Sequence, residues 1–166
     1  MPNDIIMEIR KARIEETDEI VSIYKSLIGY EGCLWNEYYP SKEDVINDIN
    51  NDTLYIIKKD EIIVAVAHAG IDEELFKEEC LFTEISNPRD LARVAVRPDY
   101  QKQGLAKAII NYIEEDLKSN GVDYMILTAG KTNEKALRLY KSLNYKIVGQ
   151  LKDHGFEMLI HEKKIN

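Results

Sequence analysis

Residues 91–120, LARVAVRPDYQKQGLAKAIINYIEEDLKSN, constrain the fold most, because they read as strand, turn and helix in immediate succession. The strand ends at Val96. Arg97, Pro98, Asp99 and Tyr100 break it, since proline lacks a donor and biases the residue before it away from the helical region. An amphipathic helix begins within residues 101–106. From Leu105, its apolar positions Ile109, Ile113 and Leu117 recur every four residues, with Ile110 and Tyr112 flanking, as on a helix packed against a sheet. Asn120-Gly121 stops it. Residues 122–128 read as the next strand, and a strand, helix, parallel-strand succession calls for a right-handed crossover. A helix start of this kind presents unpaired N–H groups and the positive end of the helix dipole, a seat for a phosphate. Gly104 and Ala106 are small enough for a diphosphate to approach the backbone of Gln101, Lys102, Gln103 and Leu105. Lys102 and Lys107 add positive charge at the same end.

The rest of the chain reads as alternating short elements. Residues 5–12 suit a first strand. Thr17 is a plausible N-cap, with Asp18 and Glu19 in the favourable first turn. Ile20, Ile23, Tyr24 and Leu27 share one helical face, and Gly29 ends that helix. Residues 30–40 hold the only tryptophan, Trp35, and three of the ten tyrosines, including Tyr38 and Tyr39. Aromatics at this density wall a pocket or cap the end of a core. Ser41 and Asp44 resemble a capping box before a short helix with Val45, Ile46 and Ile49 buried. Residues 53–58 and 61–68 read as a hairpin about Lys59-Asp60. The second of these runs is nearly all apolar, as in a strand buried on both faces. Residues 70–90 are acidic and aperiodic, and residues 73–82 could form a short helix. Thr132 or Asn133 caps a helix over residues 134–143, and residues 146–151 and 155–161 close the sheet as a hairpin around Asp153-His154.

Residues 95–106, AVRPDYQKQGLA, resemble the acetyl-coenzyme A signature of the GNAT (GCN5-related N-acetyltransferase) superfamily: Arg or Gln, two residues, Gly, one residue, then Gly or Ala, after an apolar strand. A second feature, N-x-x-A-x-x-x-Y-x-x-x-x-Y over Asn133, Ala136, Tyr140 and Tyr145, is similar to the same family. The resemblance implies one domain over residues 1–166. Its fold class is α/β (α+β), a mixed, mostly antiparallel twisted sheet of six to seven strands flanked by about four helices. It implies acetyl-CoA as cosubstrate and direct transfer of the acetyl group to a primary amine. The strand edge at Val94, Ala95 and Val96 would pair with the pantetheine amides and supply an oxyanion donor. Asn133 and Ala136 would approach the cofactor. Tyr140 would lie beside the thioester as general acid, being protonated at neutral pH. The base is open among Glu84, Asp90 and His68. Trp35, Tyr38, Tyr39 and Arg93 are candidates for acceptor binding; Arg93, which stays protonated, suits a structural role or the binding of a substrate carboxylate rather than a base.

The net charge, 22 minus 30 or −8, argues against nucleic acid as a principal partner and is compatible with a cationic acceptor. Cys33 and Cys80 form no metal-spaced pair, so no metal is expected. The apolar run of residues 62–67 is too short for a membrane span, and the start is unlike a signal peptide, so a cytoplasmic protein is expected. A homodimer is left open. Two rival readings remain: a domain that binds acyl-coenzyme A without turnover, and a nucleotide-binding loop at Gly104. The latter lacks the Gly-Lys-Ser/Thr of a P-loop.

Overall fold

A computed structural model describes residues 6–78, 80–81 and 85–166 of the chain. Seven strands form one sheet: β1 (Met7–Lys11), β2 (Leu54–Lys59), β3 (Ile62–Gly70), β4 (Pro88–Val96), β5 (Tyr124–Gly130), β6 (Lys146–Asp153) and β7 (Phe156–Lys164). Their spatial order is β1-β2-β3-β4-β5-β7-β6. Every pair is antiparallel except β4 and β5, which run parallel because the helix between them carries the chain back. The helices are α1 (Thr17–Ser26), α2 (Lys42–Asn50), α3 (Leu105–Ser119) and α4 (Glu134–Ser142). The expected mixed sheet with four helices is therefore present.

Each face of the sheet has its own core. Helices α3 and α4 bury Leu105, Ile109, Ile110, Ile113, Tyr140 and Leu143 against Tyr55, Val64, Ala67, Leu91, Met125 and Leu127. On the opposite face α1 and α2 bury Ile20, Ile23, Tyr24 and Val45 against Leu54, Ile56, Ile63, Val66 and Ala95. Beyond β4 that second face is covered by the acidic segment, whose Leu75 and Leu81 pack on Tyr124, Ile126 and Ile160. The segment thus closes a core. Its described residues hold a 3-10 turn at Leu75–Lys77 where a longer helix was possible, and at its two ends Gly70 belongs to β3 and Pro88, Arg89 and Asp90 to β4.

Other local expectations shift by a residue or two. Ser41 caps α2 through a complete capping box with Asp44. Thr17 is not the cap of α1. Glu16 occupies that position, and the Thr17 hydroxyl donates to the Ile14 carbonyl of a preceding 3-10 turn. Glu16 instead accepts a bidentate pair from Arg10, at 2.9 and 2.8 Å. The hairpin turns are centred on Asp60-Glu61 and His154-Gly155, all at positive φ, one residue later than read from the sequence. That geometry matches the twist of the flanking strands.

Candidate active site

The site is organised by two departures from regular pairing, both on β4. The first is the parting of β4 from β5. They pair only at Pro88–Tyr124, Arg89–Met125 and Asp90–Ile126. Past Asp90, β4 stays with β3 while β5 continues with β7 out to Gly130. A fork opens between them, and its β4 edge carries unpaired peptide groups. Arg97 N–H donates to the Val64 carbonyl at 2.9 Å. Antiparallel peptides alternate in direction, so the Val96 N–H faces away from β3 and into the fork.

The second departure is a bulge. Between its pairings with Val66 and His68, β4 spends three residues, from Ala95 to Ala92, where β3 spends two. Arg93 absorbs the extra residue at φ 52, a left-handed conformation that non-glycine side chains seldom adopt. The bulge flips the parity of the strand. Leu91 lies in the α3–α4 core and Ala95 in the α1–α2 core, although both are odd-numbered. Asp90, beside Leu91, therefore faces the α1–α2 side.

Arg93 is held firmly. Its Nε and Nη2 donate to Asp48 of α2 at 2.9 and 2.8 Å, and Nη1 donates to the Tyr39 hydroxyl at 3.0 Å. Its side chain is only 16% exposed. The Tyr24 hydroxyl donates to the Arg93 carbonyl at 3.3 Å. His68 lies beside this pair, its Nδ1 2.9 Å from the Thr53 hydroxyl and 3.3 Å from Asp48. Burial and the neighbouring guanidinium push the imidazole down to about 3. His68 is thus neutral at physiological pH, and its approach to Asp48 is not an ion pair. It fills the space beside Gly70, where a Cβ would come within 2.6 Å of its ring. His68 is a packed, structural histidine.

Asp90 is different. It sits half-buried where β4 and β5 part, and its carboxyl makes no hydrogen bond or ion pair among the described residues. Burial, with the charge of Asp72 adding to it, pushes its carboxyl up to about 7. Tyr140 approaches from the other face, on α4. Its ring lies edge-on to Tyr145 and His161, at centroid distances of 5.8 and 5.7 Å. Burial first, and the charge of Asp90 second, raise its phenol to about 12. The two groups feel one another across the fork. Glu84 lies outside the described residues.

At the far end of β4 the chain forms the turn before α3. Lys102 and Gly104 have φ of 63 and 76, and Gly104 is the N-cap of α3. The N–H groups of Lys102, Gln103, Gly104, Leu105, Ala106 and Lys107 take no carbonyl or side-chain acceptor among the described residues. A Cβ added at Gly104 would meet nothing within 4 Å. This exposed cradle of free donors fits a diphosphate in kind and in access. Leu105 itself points into the core. Gln101 bridges the turn to its surroundings, donating to the Val96 carbonyl at 3.2 Å and accepting from Lys135 at 2.9 Å. Lys59, on the β2–β3 hairpin, reaches Gln103 at 3.2 Å. The sequence reading missed both lysines. Lys135 stands two residues after the α4 cap and could have been suspected, whereas Lys59 arrives only through sheet register.

The remaining candidates divide. Asn133 caps α4, accepting from Ala136 N–H at 3.2 Å, and donates to the Gly32 carbonyl at 3.2 Å. Its amide is spent on joining the aromatic loop to α4. Trp35 packs edge-on against Tyr24 at 5.1 Å and belongs partly to the core. Tyr39 touches Arg93, and Tyr38 projects into solvent. Asp48 was missed, although an acid three residues after Val45 on the buried stripe of α2 is a legible signal. A cleft of about 370 Å³ lined by Leu137, Arg138, Lys141, Tyr145, Ile147 and His161 adjoins Tyr140 from the β6–β7 side, but neither Asp90 nor the turn before α3 lines it. Among the described residues no cluster of His, Cys, Asp and Glu is arranged to hold a metal ion, and no helix is long and apolar enough to cross a membrane.

A forked strand pair with a bulged central strand and a donor-rich turn at its end defines an acyl-carrier-binding type of α/β fold. The chain belongs to the Acetyltransferase (GNAT) family, whose model matches residues 20–145. It is 38% identical over 55 residues to the ribosomal protein bS18-alanine N-acetyltransferase of Escherichia coli K12, a match covering 33% of this chain and only 37% of that enzyme. It is 23% identical over 152 residues to the L-amino acid N-acyltransferase MnaT of the same strain, across 90% of this chain and 85% of that one. The crystal structure of PaiA N-acetyltransferase from Thermoplasma acidophilum in complex with coenzyme A superposes with a TM-score of 0.74 at 21% identity, covering 96% of this chain and 99% of the other.

Proposed function

We propose that this chain is an N-acetyltransferase that moves an acetyl group from acetyl-CoA directly to the amine of a small molecule, amino acid-like compound or peptide. The observation that carries this reading is the fork between β4 and β5, with Asp90 at its base and free N–H donors at its mouth. The family's name and the coenzyme A complex of a structural relative support acetyl-CoA as the donor. The names of the partial relatives support an amine acceptor.

In this reading the turn at Lys102, Gln103 and Gly104, with α3 behind it, holds the diphosphate, aided by Lys59, Lys135 and Lys107. The edge of β4 at Val94 to Val96 pairs with the pantetheine amides and fixes the thioester carbonyl in the fork. Holding donor and acceptor in one geometry supplies several kcal/mol, roughly 7–11 in favourable cases. Asp90 takes a proton from the acceptor's ammonium or from the attacking nitrogen, a role suited to a carboxyl that titrates close to neutrality. The amine nitrogen attacks the thioester carbon, and the Val96 N–H meets the developing oxyanion. The carbon–sulfur bond then breaks, and Tyr140 donates a proton to the departing thiolate. The products are the N-acetyl amine and free coenzyme A.

Thiol release from acetyl-CoA across an amine and peptide panel tests the reading. Acceptor-dependent release that falls in Asp90→Asn supports it. Saturable coenzyme A binding with no release against any acceptor would leave a binding module instead.

A further inference from the structure

Resting on the transferase reading above, the charge arrangement around Asp90 bears on which amines can enter. The sequence offers Arg93 as the group to hold a substrate carboxylate. Its three donor nitrogens are already engaged, two on Asp48 at 2.9 and 2.8 Å and one on Tyr39 at 3.0 Å. Asp48 offsets its charge, and at Asp90 what remains is opposed by Asp72 and Asp48 together.

The cations of the described segments that border the site are matched or turned away. The aromatic loop, residues 30–40, carries Glu31 and Glu37 and neither lysine nor arginine. Residues 71–89 carry Asp72, Glu73, Glu74, Glu78, Glu79 and Glu84 against Lys77 and Arg89. Lys77 is paired outward with Glu74 at 3.6 Å, and Arg89 is turned to Asn87 and the Pro88 carbonyl at 2.8 Å. Lys131, at the end of β5, is matched by Glu157 at 3.6 Å. Asp72 is near enough to Asp90 to raise its carboxyl. An incoming ammonium is welcomed by this field, whereas an α-carboxylate a few ångströms from the same nitrogen meets a charge balance that Asp72 and Asp48 tip to negative against Arg93.

We infer that the acceptor is an amine with no carboxylate on the carbon beside it, so that free α-amino acids are poor acceptors even though one relative is named for them. The contrast is measured in pairs that keep the side chain and drop the carboxylate, each with a single acceptor amine: agmatine against L-arginine, tyramine against L-tyrosine, phenethylamine against L-phenylalanine. Coenzyme A release by the purified protein gives kcat/KM for each. We expect the decarboxylated member to win in every pair that turns over, by on the order of tenfold or more, as one opposed charge at this range costs.

Asp48→Asn, which frees the guanidinium, should narrow that ratio severalfold. Asp72→Asn, which keeps the acceptor for the Leu75 N–H, should narrow it as well and covers the case that the first variant does not fold. Equal or better use of the free amino acids would overturn the inference while leaving the transferase intact. No release with acceptors of either kind would overturn both.

Discussion

Replacing Asp90 with Asn tests the chemistry and the physics of the site together, because the two should move in opposite directions. The carboxyl ordinarily titrates near 3.8 and is pushed up to about 7 by burial and by Asp72. Ionising it inside the fold is therefore unfavourable. For a carboxyl sealed from water the displacement would amount to roughly 4 kcal/mol. Asp90 is half-buried, so solvent screening reduces the cost to about 1–2 kcal/mol. The sign follows from linkage. A carboxyl raised on folding favours the folded state most below the unfolded value, near pH 4, and that advantage is lost as pH rises through about 7.

Asp90→Asn removes the titration and breaks no hydrogen bond among the described residues. Thermal melts of the two proteins should nearly coincide at pH 4. The variant should melt about 2–8 °C higher at pH 8. Over the same range kcat/KM should fall by roughly 100-fold or more for want of a base, and the acidic limb near pH 7 in the wild-type profile should vanish. A variant that melts lower at pH 8 would refute the account of the burial cost. One that keeps both its rate and its acidic limb would refute Asp90 as the base.

Three further outcomes are expected. Tyr140→Phe should lower kcat by about tenfold while leaving the calorimetric affinity for acetyl-CoA nearly unchanged, since thiolates leave readily and the general acid helps rather than decides. Gly104→Ala should cost about 1–2 kcal/mol in a denaturant melt through its positive φ alone, whereas Gly104→Glu should also abolish thermal protection by coenzyme A; retained protection would place the diphosphate elsewhere. Asp48→Ala strands the half-buried Arg93 guanidinium and should cost about 3–5 kcal/mol in the same melt.

What the sequence made legible is what leaves a local, periodic mark. The α3 stripe, the nearly all apolar β3, the Ser41–Asp44 box and the turn at Gly104 each announce themselves locally. The bulge does not, because it is a mismatch between two strands and neither strand alone contains it. Arg93 therefore read as a candidate ligand for a carboxylate, when the pairing had already turned it toward Asp48. The acidic segment hid its purpose for a related reason. Leu75 and Leu81 anchor it without helical or strand spacing, so only the apolar surfaces of Tyr124 and Ile126 that they cover explain it. Thr17 misled because Glu16, one residue earlier, competes for the cap position and is drawn there by Arg10.

The bulge also explains why the buried ion pair at Asp48 is retained, although such pairs seldom stabilise more than a well-packed apolar substitute. One extra residue on β4 sets Asp90 and Ala95 toward α1 and α2 while Val94 and Val96 pack with the α3–α4 core. A regular strand could not do this, since residues five apart would face opposite sides. The left-handed conformation of Arg93 that permits it is costly, of order 1–3 kcal/mol. The same residue is locked from two directions, by Asp48 and Tyr39 on its side chain and by Tyr24 on its carbonyl. The ion pair thus offsets the strain that sets the proposed base on one side of the fork and the proposed oxyanion donor within it. This is why a residue that touches neither reactant in the proposed reaction is held by more hydrogen bonds than Asp90 or Tyr140, the groups proposed to carry it out.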